Sequence, residues 1–458
     1  KAQMVIQELN ATVGHFENTG KLHHYAKQTR IGALNIQADS MLNSGSFETY
    51  GNSVLRVAQL LENTGFMGGL TSTAPKEDGT LHRGTLDIKA QDFHNKGKFK
   101  ASNKTTFEAN ITTTPTSTTT FDDDVIFAAS PYSLEFGTAP DFLGTVKFVD
   151  QESSDAEALN RIHSQLYSAS FMSMLENAPK VEMHMLGDSI FNEAFKLGGD
   201  WYFTNRAHGG MDGRLIFQKE AKVLGNLTGI AEGNIRIGNA QTKILGKVQA
   251  GGVLKLESAA VNARWAQIYG HTGVDIKSRT GRVHLGNFSK KPGSRERFLG
   301  YSKNTFGQEH FEAYNDVGAS YVGSGDFLSI TSGEDILGEG ILLYANGQVS
   351  LKSAQPMNFY RSVAMGRGKC LLDAPEVNLA ATPIREGVKV GHFSCGACGH
   401  SADQISGRVF HPSNGNGCEA GNILTSEGTE FFFADEIEPK TDSLIIESSK
   451  LLSAKKIY

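Results

Sequence analysis

The residues best suited to chemistry crowd toward the C-terminal end of the sequence. His392, Cys395, Cys398 and His400 fall within one short stretch, followed by His411 and Cys418, with Cys370 farther back. The C-x-x-C turn of Cys395 and Cys398 places two thiolates on one metal ion, and Cys418 with His400, His411 or Cys370 would complete a tetrahedral structural zinc site. No second C-x-x-C follows, so half of a zinc ribbon is missing. Four cysteines in an exported chain would equally form two disulfides, with three pairings open. Free thiols are a third reading. A thioredoxin-like pair is disfavoured because no βαβ context surrounds it. All of these make residues 391–425 a pinned loop, and none implies catalysis.

Other reactive side chains are scattered. Asp122-Asp123-Asp124, His208-Gly209-Gly210, Gly270-His271-Thr272-Gly273 and Lys277-Ser278-Arg279 have the residue types of parallel β-helix enzymes that cut polysaccharides. Paired carboxylates must face one bond across neighbouring coils. The Asp run lies in non-repeat sequence, about 150 residues before Gly270. The plainer reading makes it a solvated turn and His271 a loop residue. No Ser-His-Asp set in motif form, phosphate loop or dinucleotide fingerprint occurs. The expectation is therefore a chain that is not an enzyme, the alternative being a polysaccharide-processing β-helix enzyme.

The elements that would position these groups are set by a repeat. Between residues 15 and 111 the pattern apolar-x-Asn-x-Gly-x-apolar returns four times, at Asn18, Asn43, Asn63 and Asn95. Two residues before each Asn stands Phe16, Met41, Leu61 or Phe93, and four after it Leu22, Phe47, Met67 or Phe99. Three copies also align Ala38, Ala58 and Ala90 five residues before the Asn, and Leu34, Val54 and Leu86 nine before it. The Asn-to-Asn steps are 25, 20 and 32, the last containing a run of turn formers from Gly68 to Gly79. That run reads as a loop extruded from a unit of about 20 residues. Asn and Gly at a corner suggest positive φ. Flanking segments such as Leu34-Asn35-Ile36-Gln37-Ala38 alternate apolar with polar, the period of a strand with one buried face. Such a unit buries its face only by stacking on copies of itself, which gives a parallel β-helix, or solenoid. Within it the asparagines are either turn residues or a stack from coil to coil.

The strings LNIQADSMLNSGSF and LDIKAQDFHNKGKF resemble the repeats of filamentous haemagglutinin and its relatives, the exoproteins of Gram-negative two-partner secretion. The resemblance covers residues 15–111 and implies a right-handed β-helix exported through an outer-membrane pore, serving as an adhesin or as the stalk of a contact-dependent inhibition toxin. The segment Met185-Leu186-Gly187-Asp188 is similar to one found between repeat blocks in the same family.

Composition agrees with an extended β protein, with Gly at 51 of 458 residues and Pro at only 11, so turns rest on Gly and Asn while strands stay unbroken. A net charge of -5 without a long basic run disfavours nucleic acid as a partner. No apolar run is long enough to span a bilayer and no signal peptide is evident, so a mature piece or segment is expected. The Thr-rich run Thr112–Thr120 reads as a strand or linker at a domain border. Ser154 with Glu157 forms a capping box, followed by a helical stripe of Leu159, Ile162, Leu166, Phe171 and Met174. Closely spaced glycines and short alternating strands resume near residue 223, with another extruded loop at Ser289–Arg297.

The expected fold is mainly β, a right-handed parallel β-helix with one inserted α-containing segment. Residues 1–120 form the haemagglutinin-type repeat solenoid, 121–222 a non-repeat insertion with one helix, 223–390 a Gly-rich solenoid, 391–425 the Cys/His loop and 426–458 terminal solenoid strands. The expected function is a structural or adhesive segment of a secreted filamentous exoprotein, a rigid rod at the Gram-negative cell surface. Its expected partners are a receptor or glycan on a host or neighbouring cell, further copies stacked end to end, and the secretion pore.

Overall fold

The computed structural model describes residues 3–25, 32–71, 84–130, 132–152, 156–239, 244–286, 320–380, 429–446 and 449–453. The chain is mainly β, its strands laid into long parallel sheets as in a β-helix-like solenoid. It divides into two compact units, Lys1–Gly187 with Lys196–Thr204, and Asp188–Phe195 with Asn205–Tyr458.

In the first unit each repeat contributes a long strand and a short one. The long strands Glu8–Asn18, Ala33–Asn43, Asn52–Asn63, Thr85–Asn95 and Lys104–Thr113 pair in parallel, as do the short strands that follow them, Lys21–His24 through Thr118–Phe121. Within Ala33–Asn43, Leu34, Ile36, Ala38, Met41 and Asn43 are buried. Alternation slips between Ala38 and Met41, where the register to the next coil shifts. A bulge lets one strand turn two faces inward without losing its ladder. It also corrects the alignment expected from residue counting. Ala38 pairs with Val57, not Ala58, and Leu34 with Ser53, not Val54. Asn52–Asn63 carries one residue more than its neighbours, so counting back from Asn63 goes astray beyond the bulge; Ala58 is accordingly exposed.

The four asparagines form a buried column. Asn18 Nδ2 donates to Asn43 Oδ1 at 2.7 Å, Asn43 to Asn63 at 2.7 Å, and Asn63 to Asn95 at 2.8 Å. The glycines beside them have a different role from the one expected. None of Gly20, Gly45, Gly65 and Gly97 has positive φ. A Cβ on Gly65 would instead lie 2.0 Å from the Gly45 carbonyl, and one on Gly97 2.1 Å from that of Gly65. Coil-to-coil approach therefore requires glycine there.

The coils run on past the expected border at residue 120. Thr118–Phe121 pairs with Lys98–Ala101, and Val125–Ser130, Thr145–Asp150 and Lys180–Leu186 continue the long-strand ladder. Phe107, Phe127 and Phe148 occupy one column, successive rings 5.5 Å apart. The inserted α-containing segment is a helical excursion between two strands that pair with each other. It holds two helices, α1 (Ala156–Leu166) and α2 (Ala169–Met174), where one was expected. Ser168 restarts the helix by accepting the Phe171 amide at 3.3 Å, so Phe171 and Met172 are buried while Met174 is half-buried. The Ser154 cap lies outside the described residues.

In the second unit each coil has three strands, for example Val253–Ser258, Val261–Arg264 and Ala266–Gly270, and each strand ladders onto its counterpart in the next coil. The corner between the second and third strands has positive φ in successive coils, at Gly238, Trp265, Gly286, Gly340 and Arg361. Glycine adopts this without strain; Trp265 and Arg361 do not. The extruded loop expected at Ser289–Arg297 lies outside the described residues.

Candidate functional site

Of the residues expected to carry chemistry, Cys395, Cys398, His400, His411 and Cys418 lie outside the described residues. Cys370 is described. It is a free thiol with no exposed surface, in the ladder between Val349 and Ile437. Burial pushes its pKa up, which disfavours the thiolate a metal would need. It meets no second thiol among the described residues, and the other three cysteines lie outside them. Among the described residues no group of three or more His, Cys, Asp or Glu is placed to hold a metal ion.

The residues weighed for polysaccharide cleavage belong to different units, Asp122–Asp124 to the first and His208, His271, Lys277 and Arg279 to the second. Each has a local role. Asp122 accepts Ser102 Oγ at 2.6 Å and pairs with Lys100 at 2.9 Å; burial opposes its ionisation, but these partners outweigh it and hold the carboxyl below its usual range. Asp124 accepts the Thr145 amide at 2.8 Å. His208 closes a turn with Met211, and the His271 ring lies 3.2 Å from the Tyr269 hydroxyl. Arg279 donates to the Ala231 carbonyl at 2.6 Å. Lys277 lies within the strand Gly273–Ser278, and the others are turn and corner residues.

Ion pairs join successive coils on the outer surface of the first unit, with Lys96–Glu62 at 2.7 Å and Lys89–Glu108 at 2.6 Å. Such exposed pairs contribute roughly 0–1 kcal/mol each. Glu48 is a denser node. Burial opposes its ionisation, yet hydrogen bonds with Ser46, Lys21 and His23 keep its pKa below the ordinary value.

Two buried polar groups escaped the sequence reading. His24 has no exposed surface; its Nδ1 lies 2.7 Å from Thr49 Oγ1 and its Nε2 3.1 Å from the Gln7 carbonyl. A carbonyl only accepts, so Nε2 carries the proton and Nδ1 accepts. Burial lowers the pKa of His24. Second, His163 on α1 bonds Asp150 at 2.6 Å, and Asp150 also accepts the Leu186 amide at 2.8 Å. The helical stripe was the available signal, since His163 follows Leu159 by one helical turn and shares its buried face.

The helical excursion also frames a partly open cavity of about 290 Å3 against the strand ends at Thr113 and Leu134. Leu134 and Phe171 are buried in its wall, Phe136 is half-buried, and Glu135 and Ser170 are exposed at its rim. Gln165 Nε2 donates to the Leu134 carbonyl at 3.0 Å, which ties α1 to the coil and fixes the amide. No Lys, Arg or His lines it.

No protein-family profile, curated protein or solved structure matches this chain.

Proposed function

We propose that this chain is a structural and adhesive segment of a secreted, filamentous-haemagglutinin-like exoprotein of two-partner secretion, with right-handed β-helical coils, at the surface of a Gram-negative cell. The observation that carries the reading is the asparagine column, in which the Asn-x-Gly repeat of the resemblance is a spine bonded at 2.7 to 2.8 Å from coil to coil. A stack that satisfies its backbone between coils is stiff, and stiffness suits a stalk that presents a binding surface or projects a distal effector. The binding partner in this reading is a receptor or glycan on another cell, met by loops and excursions carried on the coils.

Homotypic end-to-end stacking of coils from separate chains is the second part of this reading. Adhesion of the purified, labelled chain to intact cells, with negative-stain imaging of the same preparation, tests both parts. Binding above that of a heat-denatured control, with filaments growing as concentration rises, is expected. A chain that neither adheres nor assembles overturns the reading.

A further inference from the structure

We propose that the cavity beside the helical excursion is a sugar site, taking one hexopyranose ring of a neutral glycan. This rests on the adhesive reading and names its ligand. The volume of about 290 Å3 lies at the lower end of the range for small-molecule sites, enough for a single ring and too little for a folded peptide. The cavity is partly open, so a ring bound there can be the end of a longer chain.

The lining chooses among small ligands. Having no cation, it offers an anionic group nothing to pair with. The Glu135 carboxylate at the rim accepts hydroxyl protons, and so does the Gln165 amide oxygen, left available because its nitrogen is engaged by Leu134. Ser170 Oγ sits 3.1 Å from Ser168 Oγ, which in turn donates to the Gln165 carbonyl at 2.7 Å, so the hydroxyl pair is already ordered. The half-buried Phe136 and the buried Phe171 also line the cavity. A pyranose has the same two characters, with a C–H face for an aromatic ring and a rim of hydroxyls that both donate and accept. A purely apolar ligand would strip water from Glu135, Gln165 and Ser170 without replacing it.

The helices exist as an excursion between strands that would pair without them, so the coil's own hydrogen bonding does not require them. The buried His163–Asp150 bond at 2.6 Å and the Gln165 bond hold the excursion in one position, as a preformed site requires.

The test is saturation-transfer NMR on the full chain with the methyl glycosides of glucose, galactose, mannose and N-acetylglucosamine, and with N-acetyl-lysinamide as the cationic alternative. Transfer to at least one glycoside is expected. Affinity should fall about tenfold in Phe136→Ala, which removes the more exposed of the two aromatic rings in the lining. It should be lost in Ser170→Trp, whose exposed parent residue allows the cavity to be filled with the fold intact. Transfer to no glycoside, transfer to N-acetyl-lysinamide alone, or equal affinity in Ser170→Trp would each overturn the sugar site. Cell adhesion of wild type and Ser170→Trp separates the two proposals. Adhesion without glycoside binding removes the sugar site and leaves the adhesive reading. Glycoside binding without adhesion does the reverse.

Discussion

Replacing Asn63 by alanine removes a middle rung of the asparagine column and tests whether that column holds the coils together. Asn63 Nδ2 donates to Asn95 Oδ1 at 2.8 Å and to the Lys98 carbonyl at 3.1 Å, while its Oδ1 accepts from Asn43 at 2.7 Å. Each bond is worth about 1 kcal/mol net, and a buried group left without a partner costs about 1–3 kcal/mol. Asn43 keeps its bond to the Phe66 carbonyl at 2.8 Å, so one of its amide protons stays satisfied. The other proton and Asn95 Oδ1 are orphaned, and the expected loss is about 3–5 kcal/mol. Asn18 has one neighbour in the column and only donates, to Asn43 at 2.7 Å and to the Ser46 carbonyl at 3.0 Å, so Asn18→Ala should cost about 1–2 kcal/mol. Asn35 bonds Asn10 at 2.7 Å on the exposed face, and Asn35→Ala should cost under about 0.5 kcal/mol. Asn63→Asp should be worse than alanine, because it turns a carboxylate oxygen toward Asn95 Oδ1. The assay is urea unfolding followed by fluorescence. Trp201 is buried in the first unit and Trp265 belongs to the second, so a Trp265→Phe background reports the first unit alone. If Asn63→Ala shifts the midpoint no more than Asn35→Ala does, the column is not what binds the coils.

Gly65→Ala should destabilise the first unit by at least about 3 kcal/mol or abolish its folding, because the new Cβ would lie 2.0 Å from the Gly45 carbonyl; Gly14→Ala, whose Cβ would meet only Asp39 Oδ2 at 3.7 Å, should be near neutral. Soluble yield and urea midpoints separate the two. His24 contributes a pH dependence of defined sign. Its folded pKa is depressed below 6.5, so its contribution is whole above that value and is lost as pH falls toward the folded pKa, where the unfolded chain takes up the proton first. Urea midpoints measured downward from about pH 7 should fall before the carboxylates titrate, and His24→Gln should flatten that slope. His163→Ala leaves the buried Asp150 carboxylate with only the Leu186 amide and should cost about 3 kcal/mol, while adding Asp150→Ala should recover part of the loss. A double mutant less stable than His163→Ala would contradict the charge-burial argument.

Much of the architecture was legible because it is local. The alternation of Leu34, Ile36 and Ala38 places every second side chain inside a strand, and that is a property of the backbone alone. The spacing of Asn18, Asn43, Asn63 and Asn95 declared the stacking unit, and the strands expected around Ile235, Val253 and Val349 are present. The helical stripe through Leu159, Ile162 and Leu166 faces inward as its period requires. Where the reading slipped, a second coil was involved. Val57 and not Ala58 stands beside Ala38 because a bulge absorbs one residue, and only the neighbouring strand reveals it. The cavity beside α1 and α2 was illegible for the same reason, since Glu135 and Gln165 become neighbours only when the excursion folds back.

By itself, then, the sequence determined the period, the parallel winding and the corner residues, because these follow from side-chain alternation and turn preference within a single repeat. The tertiary structure alone decided what each repeated residue is for. Glycine at the corner makes room for the carbonyl of the coil before it, asparagine bonds its counterpart one coil away, and Cys370 lies buried between Val349 and Ile437 of the neighbouring coils. Those roles depend on distances between segments 20 or more residues apart along the chain, which the stacking of coils sets and no single repeat contains.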